Sequence, residues 1–167
     1  MSEQVNRGRR AVMVTGGVVL AGAFLARPSE AARSEKDWTP TEKANVKVVN
    51  DFLHAIEQKK ADGLVALMTA DGRARMSAHT TQPAMTPDQL KGAISKFFES
   101  GGVQFKTLET CAQGPLVTNV RIDRITSKAG LQDLHYMGVF FLKDGKIAEW
   151  NDYEIAPATP VKPGQPF

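Results

Sequence analysis

The chain changes period once, and that change constrains its fold more than any other feature. Up to Ser100 its apolar residues recur at helical spacing; from Val103 onward they alternate. Thr39-Pro40-Thr41-Glu42 has the form of a helix start, with Thr39 as N-cap, Pro40 in the first turn and Glu42 closing a capping box. Val46, Val49, Phe52, Leu53 and Ile56 then mark one apolar stripe to about Lys60. Asp62 is placed to cap a short second helix through Leu64, Leu67 and Met68. Residues 69–86 read as a loop. Thr86-Pro87-Asp88-Gln89 repeats the capping-box pattern ahead of Leu90, Ile94, Phe97 and Phe98, and Gly101-Gly102 ends that helix. Four strands follow, at about 103–111, 115–126, 132–142 and 146–154, punctuated by Pro115, Gly130 and Asp144-Gly145. Helices first and an antiparallel meander second argue for an α+β fold, with a curved antiparallel sheet wrapped around helices to form a cone-shaped pocket.

Residues 1–31 read as an export signal rather than as fold. Arg7, Arg9 and Arg10 make a positive start, residues 11–25 are uncharged and apolar, and Ser29-Glu30-Ala31 places small residues around a cleavage point. About fifteen apolar residues are short for a membrane span, which needs about twenty. The Arg9-Arg10 pair resembles a bacterial twin-arginine signal, with the Sec route as the alternative. Export places the protein in the periplasm or outside the cell, touching membrane only through this segment before cleavage. Residues 32–39 are a polar lead-in, 40–155 the domain, and 156–167 a Pro-rich tail.

The net charge of +3 includes +2 from residues 1–31, where four Arg face two Glu. The remaining near-neutral domain has no electrostatic footprint for nucleic acid. The single cysteine, Cys111, excludes an internal disulfide. His54, His79 and His135 have no metal-ligand spacing, and no glycine-rich phosphate loop is present. His54 reads as a helix-boundary residue, His135 as exposed or interfacial, and Cys111, on one strand face with Glu109, as packed. Phe97, Phe98, Phe140 and Phe141 read as helix and strand core that would make any pocket apolar.

The strand at 115–126 is the informative one for chemistry, although its pattern alone also fits an ordinary surface ion pair. Alternation puts Arg121 and Asp123 on one face, side by side. The last strand contributes Asp152, and the Lys143-Asp144-Gly145-Lys146 turn allows two registers. A tight two-residue turn pairs Lys143 with Lys146 and sets Asp152 opposite Met137. A glycine-bulged turn pairs Leu142 with Lys146 and sets Asp152 opposite Tyr136. One residue of slip reverses the face of Asp152, and pattern alone does not choose.

Val120-Arg121-Ile122-Asp123-Arg124, Gly138-Val139-Phe140, Asp144-Gly145-Lys146-Ile147 and Trp150-Asn151-Asp152-Tyr153, in this order and spacing, resemble the second half of the limonene epoxide hydrolases. That family belongs to the cystatin-like α+β superfamily of SnoaL-like proteins, nuclear transport factor two, ketosteroid isomerase and the polyketide cyclases. The resemblance covers about residues 40–155. It implies that Asp152 is a general base for water, Asp123 the acid that protonates an epoxide oxygen, and Arg121 the group between them. It implies no metal or other cofactor, a small apolar substrate or ligand, and a homodimer. The Tyr and Asn with which the family positions water fall here at Ala74 and Met76. Tyr136, His79 or Gln82 are the candidate substitutes, and Leu134 and Ile125 join Tyr136 as candidate pocket residues. A binding protein without chemistry, or an isomerase- or cyclase-like proton shuttle using one carboxylate, are the competing readings. The even face of the strand at 115–126, with Met137, Val139 and Phe141, gives the sheet an apolar second face suited to a partner copy.

Overall fold

The computed structural model describes residues 34–78, 81–162 and 164–167. The export segment expected at 1–31 and His79 lie outside them. After a 3₁₀ turn at Glu35–Asp37, helix α1 runs from Pro40 to Glu57. Its start is built as the sequence predicts. The Glu42 amide donates to Thr39 Oγ1 (3.2 Å) and the Thr39 amide to Glu42 Oε2 (2.7 Å). Glu42 Oε1 also accepts from the Gly114 amide (2.9 Å) and Asn45 donates to the Gly114 carbonyl (3.0 Å), which ties the head of α1 to the sheet. Helix α2 spans Ala61–Ala66 with Lys60 as its N-cap, so Asp62 is a first-turn residue rather than the cap. Its charge suits the positive end of the helix dipole there. Helix α3 spans Pro87–Ser100 and repeats the box with Thr86 and Gln89. No helix among the described residues is long and apolar enough to cross a membrane.

Five strands among the described residues form one sheet in the order β1-β5-β4-β3-β2. The meander is β2 (Gly102–Gln113), β3 (Leu116–Ser127), β4 (Gly130–Lys143) and β5 (Lys146–Pro160). The fifth strand, β1 (Met68–Arg75), lies where a loop is expected, and it pairs parallel with β5, so the sheet is mixed. Its pairing runs from Met68↔Ile147 to Arg73↔Glu149, five residues of β1 against two of β5. That bulge, across Asp71 and Gly72, breaks the alternation by which a strand is recognised. β5 also runs six residues past the expected end, into the Pro-rich segment. β1 pairs with β5 only as far as Asn151, and beyond it β5 is an edge, where Pro is tolerated.

The β4–β5 ladder begins in the first expected register and leaves it for one that neither expectation contains. Asp144 (φ +52°) and Gly145 (φ +72°) form a tight two-residue turn pairing Lys143 with Lys146. The ladder then slips by one residue between Leu142↔Ile147 and Phe141↔Glu149, with Ala148 as the extra residue. Asp152 therefore faces Gly138, neither Met137 nor Tyr136. The bulge returns Asp152 to the face that the tight turn alone would have denied it. Further irregularities at Thr107–Glu109 in β2 and at Asp133–Tyr136 in β4 help bend the sheet around the helices.

The core lies between the inner face and α1. Phe52 meets Phe140 (centroids 6.1 Å, 77°) and Trp150 (5.1 Å, 75°) edge-on, while Phe140 and Trp150 lie parallel. Phe141 is not core: it points to the outer face and is 43% exposed. Cys111 is exposed as well, not packed. The tail returns to the outer face, where Arg124 pairs with Asp133 (2.8 and 2.9 Å), donates to the Gln165 carbonyl (2.8 Å) and lies 4.3 Å from the Phe167 ring. Phe52 is fully buried, so Phe52→Ala is expected to cost about 3–5 kcal/mol, read as a lowered urea midpoint with an unchanged m-value.

Candidate active site

Alternation along β3 turns Asn119, Arg121 and Asp123 to the inner face, and all three are buried. Arg121, 1% exposed, heads the fully buried side chains by volume. Its Nη1 donates to Asn119 Oδ1 (3.0 Å) and its Nη2 to Asp123 Oδ2 (3.1 Å). Its Nε lies 2.8 Å from Asp123 Oδ1, an ion pair without hydrogen-bond alignment. Nη2 also makes a short contact with Asp152 Oδ2. The rings of Phe105 (5.4 Å) and Tyr136 (5.7 Å) flank the guanidinium.

The pair with Asp152 crosses a whole strand, because β4 lies between β3 and β5. Gly138 makes the crossing possible. It pairs with Asn119 on one side and Asp152 on the other. A Cβ there would fall 2.6 Å from Asn119 Oδ1, 2.8 Å from Phe140 Cε2, and closer still to Arg121 Nη1. The second Asp152 oxygen accepts from the indole N–H of Trp150, two residues earlier on the same face, at 2.7 Å.

This cluster holds one cation and two carboxylates, a formal −1 with both ionised. Burial pushes the Asp123 carboxyl up to about 7, with the Asp152 charge adding to the rise and Arg121 opposing it. Burial also raises Asp152, against the pull of Arg121 and the Trp150 hydrogen bond. For Arg121, burial works against the charge, but Asp152 and Asp123 outweigh it and hold the guanidinium protonated. One proton shared by the two acids makes the cluster neutral, the cheapest state in an apolar surround. Tyr136 is pushed up to about 12, mainly by burial and then by nearby carboxylates, so it remains a phenol.

The cluster opens on a cavity of about 180 Å³ lined by apolar side chains that include Ile56, Ile94, Phe97 and Phe105. The fold brings together the three expected residues, Arg121, Asp123 and Asp152, and adds Tyr136 and Ile125 to the wall. Leu134 pairs with Asp123 in the ladder, yet it is not among the described residues that line the cavity. Ala74 is fully buried in the core and Met76 lines the cavity, so neither position offers the cavity a side chain that could position water; Gln82 is exposed. Trp150, Asn119 and Gly138 are additions to the expected site. Trp150-x-Asp152 and Asn119-x-Arg121-x-Asp123 carry an alternation signal that points to the first two, whereas Gly138 is explained only by what passes over it. No group of three His, Cys, Asp or Glu among the described residues is placed to hold a metal ion.

A cone of curved sheet and helices, with a charged cluster on the inner face, defines a small-molecule-pocket α+β protein of the cystatin-like kind. The model of the SnoaL-like domain matches residues 49–150, and the chain belongs to that family. Among solved structures it is similar to an LEH-like epoxide hydrolase of M. tuberculosis, at 21% identity and TM-score 0.63, over 69% of this chain and 85% of that one. It is also similar to a Δ5-3-ketosteroid isomerase of a Mycobacterium species, at 12% identity and TM-score 0.60, over 66% of this chain and 92% of that one. At these identities the likeness is one of fold. No curated protein matches the chain.

A raised carboxyl pKa has a definite sign in stability. Asp123 binds its proton more tightly folded (about 7) than at its ordinary value of 3.8. Its contribution is therefore fully present below 3.8 and is lost as pH rises through about 7. Asp123→Asn, which cannot ionise, is expected to melt above the wild type at about pH 8, with the gain shrinking toward about pH 4. A pH-independent difference between the two melting curves would contradict the assignment.

Proposed function

We propose that this protein is an exported epoxide hydrolase-like enzyme that adds water to a small apolar epoxide. The observation that carries the reading is Arg121 bridging Asp123 and Asp152 beside an apolar cavity. An epoxide opens readily only when its oxygen is protonated while a nucleophile arrives, so acid and base must act together. Asp152, with Arg121 on one oxygen and Trp150 on the other, is the carboxylate better held in its ionised form. Asp123 holds the shared proton. Water loses a proton to Asp152 as its oxygen bonds to an epoxide carbon; the ring carbon–oxygen bond at that carbon breaks, and the ring oxygen takes the Asp123 proton. The proton is then on the other acid of the pair, and one transfer restores the start. Arg121 stays charged throughout and keeps the two carboxyls apart in protonation.

The test is diol formation from terpene, aryl and alkyl epoxides. Asp152→Asn and Asp123→Asn are each expected to lower turnover by about 10²–10⁴, and wild-type kcat/KM should fall as pH rises above about 7, where Asp123 loses its proton. Undiminished turnover in either variant would refute the two-carboxylate mechanism. A specific observation favours a second reading: Met76 presents an apolar side chain to the cavity and Ala74 is buried in the core, which suits a binding protein that holds a small apolar ligand without chemistry. A folded wild type inert toward every epoxide would favour it. A proton shuttle of the isomerase or cyclase kind needs one carboxylate rather than two, so it is distinguished by which single variant abolishes activity.

The outer face of the sheet supports a homodimer in the same proposal. Met137 (36% exposed), Phe141 (43%) and Tyr153 (39%) stand on it, with Val120 and Ile122 half-buried beside them. Light scattering should give a dimer mass for the wild type and a monomer for Met137→Lys/Phe141→Lys; a monomeric wild type would remove the dimer from the proposal. The reading of residues 1–31 as a signal places the enzyme outside the cytoplasm.

A further inference from the structure

The cavity has one polar group that the charged cluster leaves unused. Among the described residues that line it, Arg121, Asp123, Tyr136, Trp150 and Asp152 carry polar atoms. Arg121 turns its donors to Asn119 and the two acids, and the Trp150 indole donates to Asp152. The Tyr136 hydroxyl makes no hydrogen bond among the described residues, and it is not closed off from solvent as Asp123 Oδ1 and Arg121 Nε are. Burial keeps it a phenol, so it remains a donor throughout the neutral range. Register sets its place. Tyr136 pairs with Arg121 on β3 and with Glu154 on β5, and its ring lies 5.7 Å from the guanidinium. Asp123 and Asp152 each stand two residues from those partners, in opposite directions along the sheet, so both are diagonal neighbours of Tyr136 on the inner face. A molecule that reaches from one acid to the other passes the phenol. A spare donor at the polar end of an apolar cavity fixes how a bound molecule is oriented.

We propose that the Tyr136 hydroxyl seats the bound molecule by donating a hydrogen bond to its oxygen, the rest of that molecule being a small hydrocarbon in the apolar space. In the reaction proposed above, on whose reading this part rests, the seated atom is the epoxide oxygen. That oxygen has two lone pairs: one takes the Asp123 proton and the other accepts from Tyr136. The phenol keeps its own proton, so the ring opening balances as before. Negative charge grows on the ring oxygen as its bond to carbon breaks, and a fixed donor holds that oxygen more strongly in the transition state than in the bound epoxide. The volume of about 180 Å³ slightly exceeds the roughly 150 Å³ that accepts benzene, so a six-membered ring bearing one oxygen fits. Seating of an oxygen requires the cavity and Tyr136, but it does not require epoxide turnover.

Calorimetric titration with cyclohexanone, and with methylenecyclohexane as a hydrocarbon of the same shape, tests the proposal without any turnover. Tyr136→Phe keeps the ring beside Arg121 and loses no hydrogen bond, so it is expected to fold as the wild type does. It should weaken the ketone about three- to tenfold and leave the affinity for the hydrocarbon unchanged. The carbonyl stretch of the bound ketone, read by infrared difference spectroscopy, should lie lower in the wild type than in the variant. On an epoxide that the wild type opens, Tyr136→Phe should lower kcat by about 10² and raise KM by no more than the ketone is weakened. Equal weakening of ketone and hydrocarbon, a carbonyl band at one position in both proteins, or no binding of the ketone would overturn the proposal. A wild type inert toward every epoxide, whose ketone affinity nonetheless falls in the variant, would sink the hydrolase reading alone. An active enzyme whose kcat and ketone affinity are untouched by Tyr136→Phe would sink this one alone.

Discussion

A guanidinium buried to 1% exposure is the constraint around which the rest of this structure is arranged. Taking such a charge out of water costs several kcal/mol, and only well-placed counter-charges and acceptors repay it. Arg121 finds them on two strands: Asn119 and Asp123 beside it, and Asp152 across β4. The other local features serve that reach. Gly138 leaves room for the side chain to cross, the Ala148 bulge turns Asp152 inward, and Phe105 and Tyr136 cover the guanidinium with aromatic surface. Removing Arg121 from this network leaves buried carboxylates without their counter-charge, a loss that typically costs about 3–5 kcal/mol.

Two carboxylates around one cation create the second property. The count leaves one negative charge too many for an apolar surround, and a shared proton removes it. The acid and the base of the proposed reaction thus arise from one electrostatic problem: Asp152 is the member better supplied with donors because the Trp150 indole joins Arg121 on it, and Asp123 carries the proton. The same imbalance makes the site hospitable to a proton. It also makes Asp123 a source of instability at neutral pH, the usual trade between a working site and a comfortable core.

Much of this was legible before any coordinates. Both capping boxes, the apolar stripe of α1, the four strands of the meander and the face shared by Arg121 and Asp123 follow from local chemistry and from periods of 3.6 and 2. Strand β1 was not legible, because its partner lies 76 to 79 residues away and its pairing jumps across Asp71 and Gly72. The boundary of β5 was misplaced because Pro157 and Pro160 read as tail, yet edge pairing tolerates them. Leu134 shares a sheet face with the cluster without reaching the cavity wall. Periodicity gives the face of a residue, but not its place along a curved sheet.

By itself, then, the sequence determined the α+β class, the order of the elements and two of the three charged residues as a pair, since each depends on neighbours within a few positions. The residue pattern left open whether Asp152 joins that pair, a family resemblance implied it, and tertiary structure decided it. The face of Asp152 depends on a one-residue slip in a ladder that two turn types could have begun, and its contact with Arg121 depends on a glycine in the strand between them. Both are set by non-local pairing and close packing, which no short-range pattern encodes.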